Sequence, residues 1–369
     1  MSFISEQVLG IIGKKTKEKI IVIESDDWGL QRMPSKKAFD NLKKAGIPVD
    51  TCPYNLNDSL ENVEDISRLN NFCENFKDKN GNSLKITANF IMSNPDLEKV
   101  RESNFEKYYY LKINDIYNLY QGNVDTLIAI KDAYNNGTFV PQLHGREHLQ
   151  VNHWLNALRI GDNETLLAFN EGVFGHPSNY GNYSGINFLS AFHISSDSEL
   201  KFAIDSVLEG ALIFKEVFGF KSDTFIAPRY IWPLELEIYF KSTGIKSIQG
   251  THVQLVPRLN KANKHNLGKQ INWMGKRNLN GLGYLCRNVF FEPTQKPNFH
   301  WEKDALRRID TAFYWGKPAI ISIHRLNFMG GFSSENRENT LRRLNNLIQE
   351  VQKKHIDVVF ASSNELINT

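Results

Sequence analysis

Short apolar runs rich in β-branched residues alternate along this chain with longer amphipathic stretches. The runs predict buried strands. Two of these predicted strands, at residues 245–249 and 285–291, are weaker candidates than the others. The stronger candidates are residues 19–23, 85–91, 138–143, 224–227, 319–323 and 357–360. Apolar residues at helical spacing predict helices between them, most clearly from Ser196 and Glu199, which have the spacing of a capping box, to Gly219. Nearly all-apolar strands that alternate with amphipathic helices indicate an α/β fold with a parallel sheet covered by helices.

The spacing of these elements bears on the domain organisation. A chain of 369 residues fits either two modest domains or one α/β barrel with long insertions, and we predict a single barrel domain over residues 1–369. Long connections with weak periodicity predict insertions near residues 30–84, 92–137, 150–195 and 250–284. One segment within them, residues 174–183, is rich in turn formers and aromatic residues, which fits either a substrate loop or surface packing.

Composition narrows the classes of function. A net charge of +3 is small for this length and gives no reason to expect nucleic acid as a partner. No run approaches the roughly 20 apolar residues of a membrane span, and the first residues lack the pattern of a secretory signal, so we expect a cytoplasmic protein without an integral membrane segment. The cysteines Cys52, Cys73 and Cys286 are odd in number and form no CxxC motif, which favours reduced thiols.

Polar residues follow three of the predicted strands directly. Asp26 and Asp27 come after the first strand, His144 and His148 after the third, and His324 after the strand at residues 319–323. The carboxyl ends of parallel strands carry the chemistry in such folds. On a helical turn, histidines four residues apart would share one face, at ligand distance for a metal. Taken singly, each motif also fits a cap, a turn or a hydrogen-bonded surface pair.

Taken together, these residues predict a hydrolytic metal centre. One aspartate and two histidines suffice to hold a divalent cation beside an open coordination position. We expect Zn2+ first, with Co2+, Ni2+, Mn2+ or Fe2+ as alternatives, because Zn2+ lowers the pKa of water to about 7. A second aspartate and a third histidine then supply a base and an acid.

A fourth strand end carries Arg229 and Tyr230, after residues 224–227. Trp28 adjoins the two aspartates and Trp232 follows Arg229 closely. We predict that these tryptophans bind a sugar ring, and packing at the top of the barrel is the alternative.

In this order, Asp-Asp, His-x3-His, Arg-x3-Pro and His, the motifs resemble those of the polysaccharide deacetylases of carbohydrate esterase family 4, which share the nodulation-protein-type deacetylase domain. The resemblance runs from about residue 20 to about residue 367, with the long loops unmatched. It implies a distorted (β/α) barrel of seven or eight strands. It also implies a metal-dependent hydrolase that removes acetyl groups from an acetylated amino sugar, oligosaccharide or polysaccharide.

The resemblance also implies a role for each matching residue. Asp26 corresponds to the general base and His324 to the general acid. Asp27, His144 and His148 correspond to the metal ligands. Arg229 corresponds to the arginine that orients the base, and Tyr230 falls where a backbone N–H helps to hold the oxyanion.

The chain departs from the family pattern at several points, which indicates a divergent branch. Glu24-Ser25 replaces Thr/Ser-Phe before the acid pair, Gly145 replaces the Ser/Thr after the first histidine, and Pro228 precedes the arginine. The Asp-Trp motif has only Asn272-Trp273 and Glu292 as substitutes, which leaves the acid that tethers Arg229 unassigned. A cyclic amide or imide hydrolase on the same barrel, or a non-catalytic glycan-binding protein, remains an alternative.

Overall fold

The computed structural model describes residues 11–122, 124–176, 186–259 and 267–367. Its strands are β1 (Ile20–Trp28), β2 (Ile86–Ile91), β3 (Ser93–Pro95), β4 (Tyr110–Lys112), β5 (Phe139–Gly145), β6 (Thr224–Ile226), β7 (Ser247–Gly250), β8 (Val253–Val256), β9 (Gly268–Ile271), β10 (Gly283–Cys286), β11 (Val289–Phe290), β12 (Ala319–His324) and β13 (Val359–Ala361). Each of the six stronger strand predictions corresponds to one of these strands.

Helices occupy most of the chain between the strands. They are α1 (Lys36–Lys44), α2 (Pro53–Asn57), α3 (Val63–Glu74), α4 (Leu97–Glu102), α5 (Ile113–Gln121), α6 (Asp125–Asn135), α7 (Val151–Arg159), α8 (Asn163–Asn170), α9 (Asp197–Phe218), α10 (Glu237–Thr243), α11 (Trp301–Tyr314), α12 (Ser334–Lys354) and α13 (Ser363–Leu366). Helix α9 begins where the sequence predicts. The Ser196 side chain accepts a hydrogen bond from the Glu199 N–H, and Gly219 ends the helix at φ 82°.

The central sheet is parallel throughout and runs in the order β10-β7-β6-β5-β2-β1-β12-β11, with β13 also paired to β1. The two ends of this path are nearly continuous in sequence, because only Arg287 and Asn288 separate β10 from β11. The Arg287 N–H donates to the Gly250 carbonyl on one side of the gap, and the Asn288 N–H donates to the Ile320 carbonyl on the other. The sheet therefore curls round on itself, and the predicted α/β class with a distorted barrel of seven or eight strands is confirmed.

The apolar pattern of the strands reflects burial on both faces. Every residue of β1 is buried, as is every residue of β2 and β5. A large apolar cluster joins these strands to the inward faces of the surrounding helices, including α3, α9, α11 and α12. This burial explains why the strands could be recognised as continuous apolar runs.

The predicted insertions contain small elements of their own. Strands β3 and β4 form an antiparallel pair within residues 92–137, and β8 and β9 form another within 250–284. Residues 123, 177–185 and 260–266 of these insertions lie outside the described residues, as do residues 1–10. The single-domain extent over residues 1–369 stays a prediction.

Two expectations from composition can be compared with the structure. Cys52, Cys73 and Cys286 are free thiols, as expected. Within the described ranges, we find no helix with the length and apolar character needed to span a membrane.

Candidate active site

The site begins where β1 ends. Asp26 is the register partner of His324 on the adjacent strand β12, so the Cα atoms of these two residues lie side by side. Asp27 has φ 75°, a left-handed conformation that is uncommon outside glycine, and the pairing of β1 with β2 shifts register between Ser25 and Trp28. This irregularity lets two consecutive acidic side chains, Asp26 and Asp27, line the same cavity.

The end of β5 brings both predicted histidines to Asp27. The His144 Nε2 lies 3.3 Å and the His148 Nε2 3.4 Å from the Asp27 Oδ1. The residues after Gly145 (φ 133°) form an irregular loop rather than the helical turn that the spacing predicts. The loop nevertheless brings the two rings to a centroid distance of 5.1 Å.

These three side chains fit a divalent metal. One ligand atom from each lies within 4.8 Å of the others, and all three residues are buried. The His144 Nδ1 contacts the Ile226 carbonyl at 2.9 Å, which assigns the proton to Nδ1 and leaves the Nε2 lone pair for a metal. Burial lowers the pKa of His148 to about 3, so this imidazole is neutral. A carboxylate and two imidazoles form a ligand set typical of catalytic zinc.

The first aspartate, Asp26, is held by an arginine that the sequence analysis missed. The Arg287 Nη1 donates to the Asp26 Oδ2 at 2.6 Å and Nη2 donates to Oδ1 at 2.7 Å, while the Asn89 side chain donates to Oδ1 at 2.8 Å. Burial opposes ionisation of Asp26, but the charge and hydrogen bonds of Arg287 outweigh it and hold the pKa of Asp26 below its ordinary value. Arg287 Nε also donates to Glu24 at 2.6 Å.

Arg229 is therefore not the partner that was predicted for Asp26. It lines the same cavity from the turn after β6, but Arg287 occupies both carboxylate oxygens of Asp26. The prediction for Tyr230 also needs correction. Its backbone N–H donates to the Ala227 carbonyl at 3.0 Å, because residues 228–230 form a tight turn, so this N–H is not free to hold an oxyanion.

His324 is positioned by a carboxylate. The His324 Nδ1 donates to the Glu292 Oε1 at 2.6 Å, and the backbone N–H of His324 donates to the same oxygen at 3.1 Å. Asn327 donates to the other oxygen of Glu292 at 2.6 Å. Burial disfavours the imidazolium, but the charge and hydrogen bond of Glu292 raise the pKa of His324 to about 9. In the sequence, Glu292 was only a weak substitute for the acid of the Asp-Trp motif. In the structure it tethers His324.

The prediction that Trp28 and Trp232 bind sugar is wrong. Trp28 is 0% exposed and Trp232 1% exposed. The Trp28 ring packs edge-on against Phe139 at a centroid distance of 4.8 Å, and its Nε1 donates to the Ser25 hydroxyl at 3.0 Å. The Trp232 Nε1 donates to Glu237 at 3.2 Å. Both rings belong to the core under the site, where no substrate can reach them.

An open cavity of about 270 Å³ joins these groups. We call it the active-site cavity. Its lining residues include Asp26, Asp27, Arg32, Tyr54, His144, His148, Gly175, Arg229, Tyr230 and His324. Gly175 belongs to the segment proposed as a substrate loop, but residues 177–183 of that segment lie outside the described residues.

Comparisons with known proteins give likenesses in structure alone. No family model matches the chain, and no curated protein matches it. A protein assigned as a polysaccharide deacetylase from Mycobacterium smegmatis is 10% identical with a TM-score of 0.43, over 97% of this chain and 92% of that chain. Another so assigned, from Pseudomonas aeruginosa PAO1, is 11% identical with a TM-score of 0.44, over 95% of this chain and 90% of that chain. The Puue allantoinase is 12% identical with a TM-score of 0.43, over 95% of this chain and 90% of that chain.

Proposed function

We propose that this chain is a metal-dependent hydrolase that removes acetyl groups from an acetylated amino sugar or oligosaccharide, as a divergent relative of the carbohydrate esterase family 4 deacetylases. One observation supports the proposal above all. The three-ligand set Asp27, His144 and His148 shares one cavity with Asp26 and His324, which lie side by side on adjacent strands. Such a cavity brings a cation, a base and an acid to one acyl group.

The ligand set would hold a divalent cation that supplies positive charge to polarise the acyl carbonyl and to acidify water. Asp27 offers a carboxylate oxygen, and His144 and His148 offer ring nitrogens. The hydrogen bond from His144 to the Ile226 carbonyl fixes the orientation of that ring. The protein thus presents the donor atoms in a pre-arranged, largely buried form.

Asp26 serves as the base that takes a proton from the attacking water. Arg287 keeps the carboxylate ionised and fixes the direction of both its oxygens. Since the same contacts lower the pKa of Asp26, the proton that it accepts is readily released to solvent water after the reaction.

His324 serves as the acid that protonates the leaving group. Its Nδ1 is hydrogen-bonded to Glu292, so the Nε2–H is the group left to act on a substrate in the cavity. As the water oxygen bonds to the acyl carbon, the bond from that carbon to the sugar nitrogen or oxygen breaks. The departing atom takes the His324 proton, and acetate and the free amine or hydroxyl are released.

The experiment is a metal-reconstitution assay on the whole protein. Metal-free protein is loaded with Zn2+ and offered N- and O-acetylated sugars in one series and cyclic amides and imides in another. We expect about one Zn2+ per chain and zinc-dependent release of acetate. Ring opening without acetate release would favour the cyclic amide hydrolase, whereas bound zinc with neither reaction would favour a non-catalytic glycan-binding protein.

A further inference from the structure

Arg229 is an unneutralised cation in the active-site cavity. Its side chain is solvent-accessible and lines the cavity, and none of the acids that the structure describes pairs with it. Partial burial and then the positive charge of Arg32 lower the pKa of Arg229. Arg229 thus experiences the positive charge of Arg32, and no acid of the described residues balances it.

Three other arginines in or near the site are each neutralised by two acids. Arg287 contacts Glu24 and Asp26. Arg325, next to His324, contacts Asp58 and Glu61, and Arg146, between the two metal histidines, contacts Glu147 and Glu209. Arg229 stands apart from this pattern because Arg287 has taken the contact to Asp26.

Arg32 does not relieve this excess of positive charge. Its Nε lies 3.5 Å from the Asp58 Oδ2, longer than a hydrogen bond, and Arg325 already donates to the Oδ1 of Asp58 at 2.8 Å. The guanidinium carbon of Arg32 lies 4.4 Å from the centre of the Tyr54 ring, which places it on the same side of the cavity as that ring.

The backbone at Arg229 is strained. Arg229 and Tyr230 both have φ 57°, and Asp27, across the cavity, has φ 75°. Only two other non-glycine residues in the described ranges, Asn104 and Phe105, have a positive φ, so the strain is concentrated at the cavity. Left-handed backbone at such residues is unfavourable and is typically kept where function requires the side chain to be placed.

We propose that Arg229 binds an oxyanion on the substrate, a carboxylate or a phosphate, so that the substrate is an acylated compound with a negative charge. The planar guanidinium presents paired donors that match the oxygens of either group. This inference rests on the proposed hydrolase function and narrows its substrate class. A neutral sugar would leave Arg229 without a partner in the complex as well.

The test compares matched probes on the zinc-loaded protein by calorimetry. The probes are N-acetylglucosamine, its 6-phosphate and N-acetylmuramic acid, which carries a carboxylate. We expect at least one charged probe to bind about 10- to 100-fold more tightly than the neutral one, the range for hydrogen bonds to a charged group. The preferred probe distinguishes phosphate from carboxylate.

Three variants assign the preference to Arg229. Arg229→Asn removes the charge but tolerates the left-handed backbone, and it should bind all probes within about 2-fold of one another. Arg229→Lys should keep part of the preference, because it retains the charge without the planar fork. Arg342→Asn, at an exposed position of α12 outside the cavity, is the control and should bind like the wild type.

Three results would overturn the proposal: equal binding of the probes by the wild type, no binding of either charged probe, or a preference that survives in Arg229→Asn. The last result would mean that the anionic group of the probe binds the zinc ion and not Arg229. The proposed function is judged separately by acetate release. A preference for a charged probe without acetate release would contradict the hydrolase function but not the anion site. Equal acetate release from neutral and charged sugars would contradict the anion site but not the hydrolase function.

Discussion

Arg287 and Asp26, which are 261 positions apart in the sequence, form a two-point ion pair with N–O distances of 2.6 and 2.7 Å. The guanidinium is wholly buried, and its Nε contacts Glu24 at the same time. Since Arg287 is also the first of the two residues that join β10 to β11, the residue whose backbone N–H donates to Gly250 across the sheet is the one whose side chain holds Asp26, the proposed base. Fold stability and the state of Asp26 are therefore coupled through one side chain.

We expect Arg287→Met to lower the free energy of unfolding by about 3–5 kcal/mol, because it leaves two buried carboxylates without their cation. It should also raise the pKa of Asp26, since the charge that holds it low is gone. Denaturant unfolding measures the first effect. The control is Arg68→Met, which breaks an exposed pair with Glu338 and should cost at most about 1 kcal/mol. Equal costs for the two variants would show that the buried pair is not a stabilising feature.

Metal binding and proton transfer should be separable by mutation. His148→Ala removes a ligand atom and should abolish zinc binding and turnover together. Asp26→Asn leaves the ligand set intact, so it should keep the metal but reduce kcat by at least about 100-fold through loss of the base. Metal analysis and acetate release on the same samples measure both effects. Full turnover by Asp26→Asn would refute its role as the base.

The Glu292–His324 pair predicts a pH dependence. Glu292 raises the pKa of His324 to about 9, so the acid is protonated below that pH and kcat should fall as the pH rises through it. Glu292→Gln removes the charge that raises this pKa, and the alkaline limb of the kcat profile should move to lower pH. Asp310→Asn is the control, because it alters another histidine–carboxylate pair, with His355, at 2.8 Å. If the alkaline limb of the kcat profile stays at the same pH in Glu292→Gln, His324 is not the acid that titrates there.

The sequence predicted the parts of the site that depend on local pattern. Asp27, His144 and His148 follow apolar runs, and the ends of parallel strands converge at one edge of a barrel. Arg287 could not be found in this way. It lies between two strands of only four and two residues, and its partner is determined by how the sheet closes on itself. The sequence motifs therefore predicted Arg229, the arginine of the matching motif, as the partner of Asp26.

The failure at the tryptophans has a similar cause. Trp28 directly follows two acids that line the cavity, which made it a plausible sugar platform. The left-handed backbone of Asp27 breaks the alternation of side chains along β1, so Asp26 and Asp27 both reach the cavity while Trp28 enters the core. A bulge of this kind has no signature in the apolar pattern that predicted the strand.

Helix α9 packs against the backbone between His144 and His148 at Gly210. A Cβ atom at this position would lie 2.9 Å from the backbone nitrogen and 3.1 Å from the Cα of Arg146, between His144 and His148. Backbone atoms can avoid such contacts only if the loop itself moves. The absent side chain of Gly210 thus allows the helix to approach the backbone between His144 and His148.

We expect Gly210→Ala to weaken zinc binding by at least about 10-fold, the scale seen when support of a ligand is lost. Alanine is the better helix former by about 1 kcal/mol, so helix propensity alone predicts the opposite, a more stable protein with unchanged metal affinity. Zinc titration against a competing chelator decides between these outcomes. Leu212→Ala, at a position of the same helix that is 68% exposed, is the control and should bind zinc like the wild type. Wild-type zinc affinity in Gly210→Ala would mean that the loop holds its ligands without support from α9.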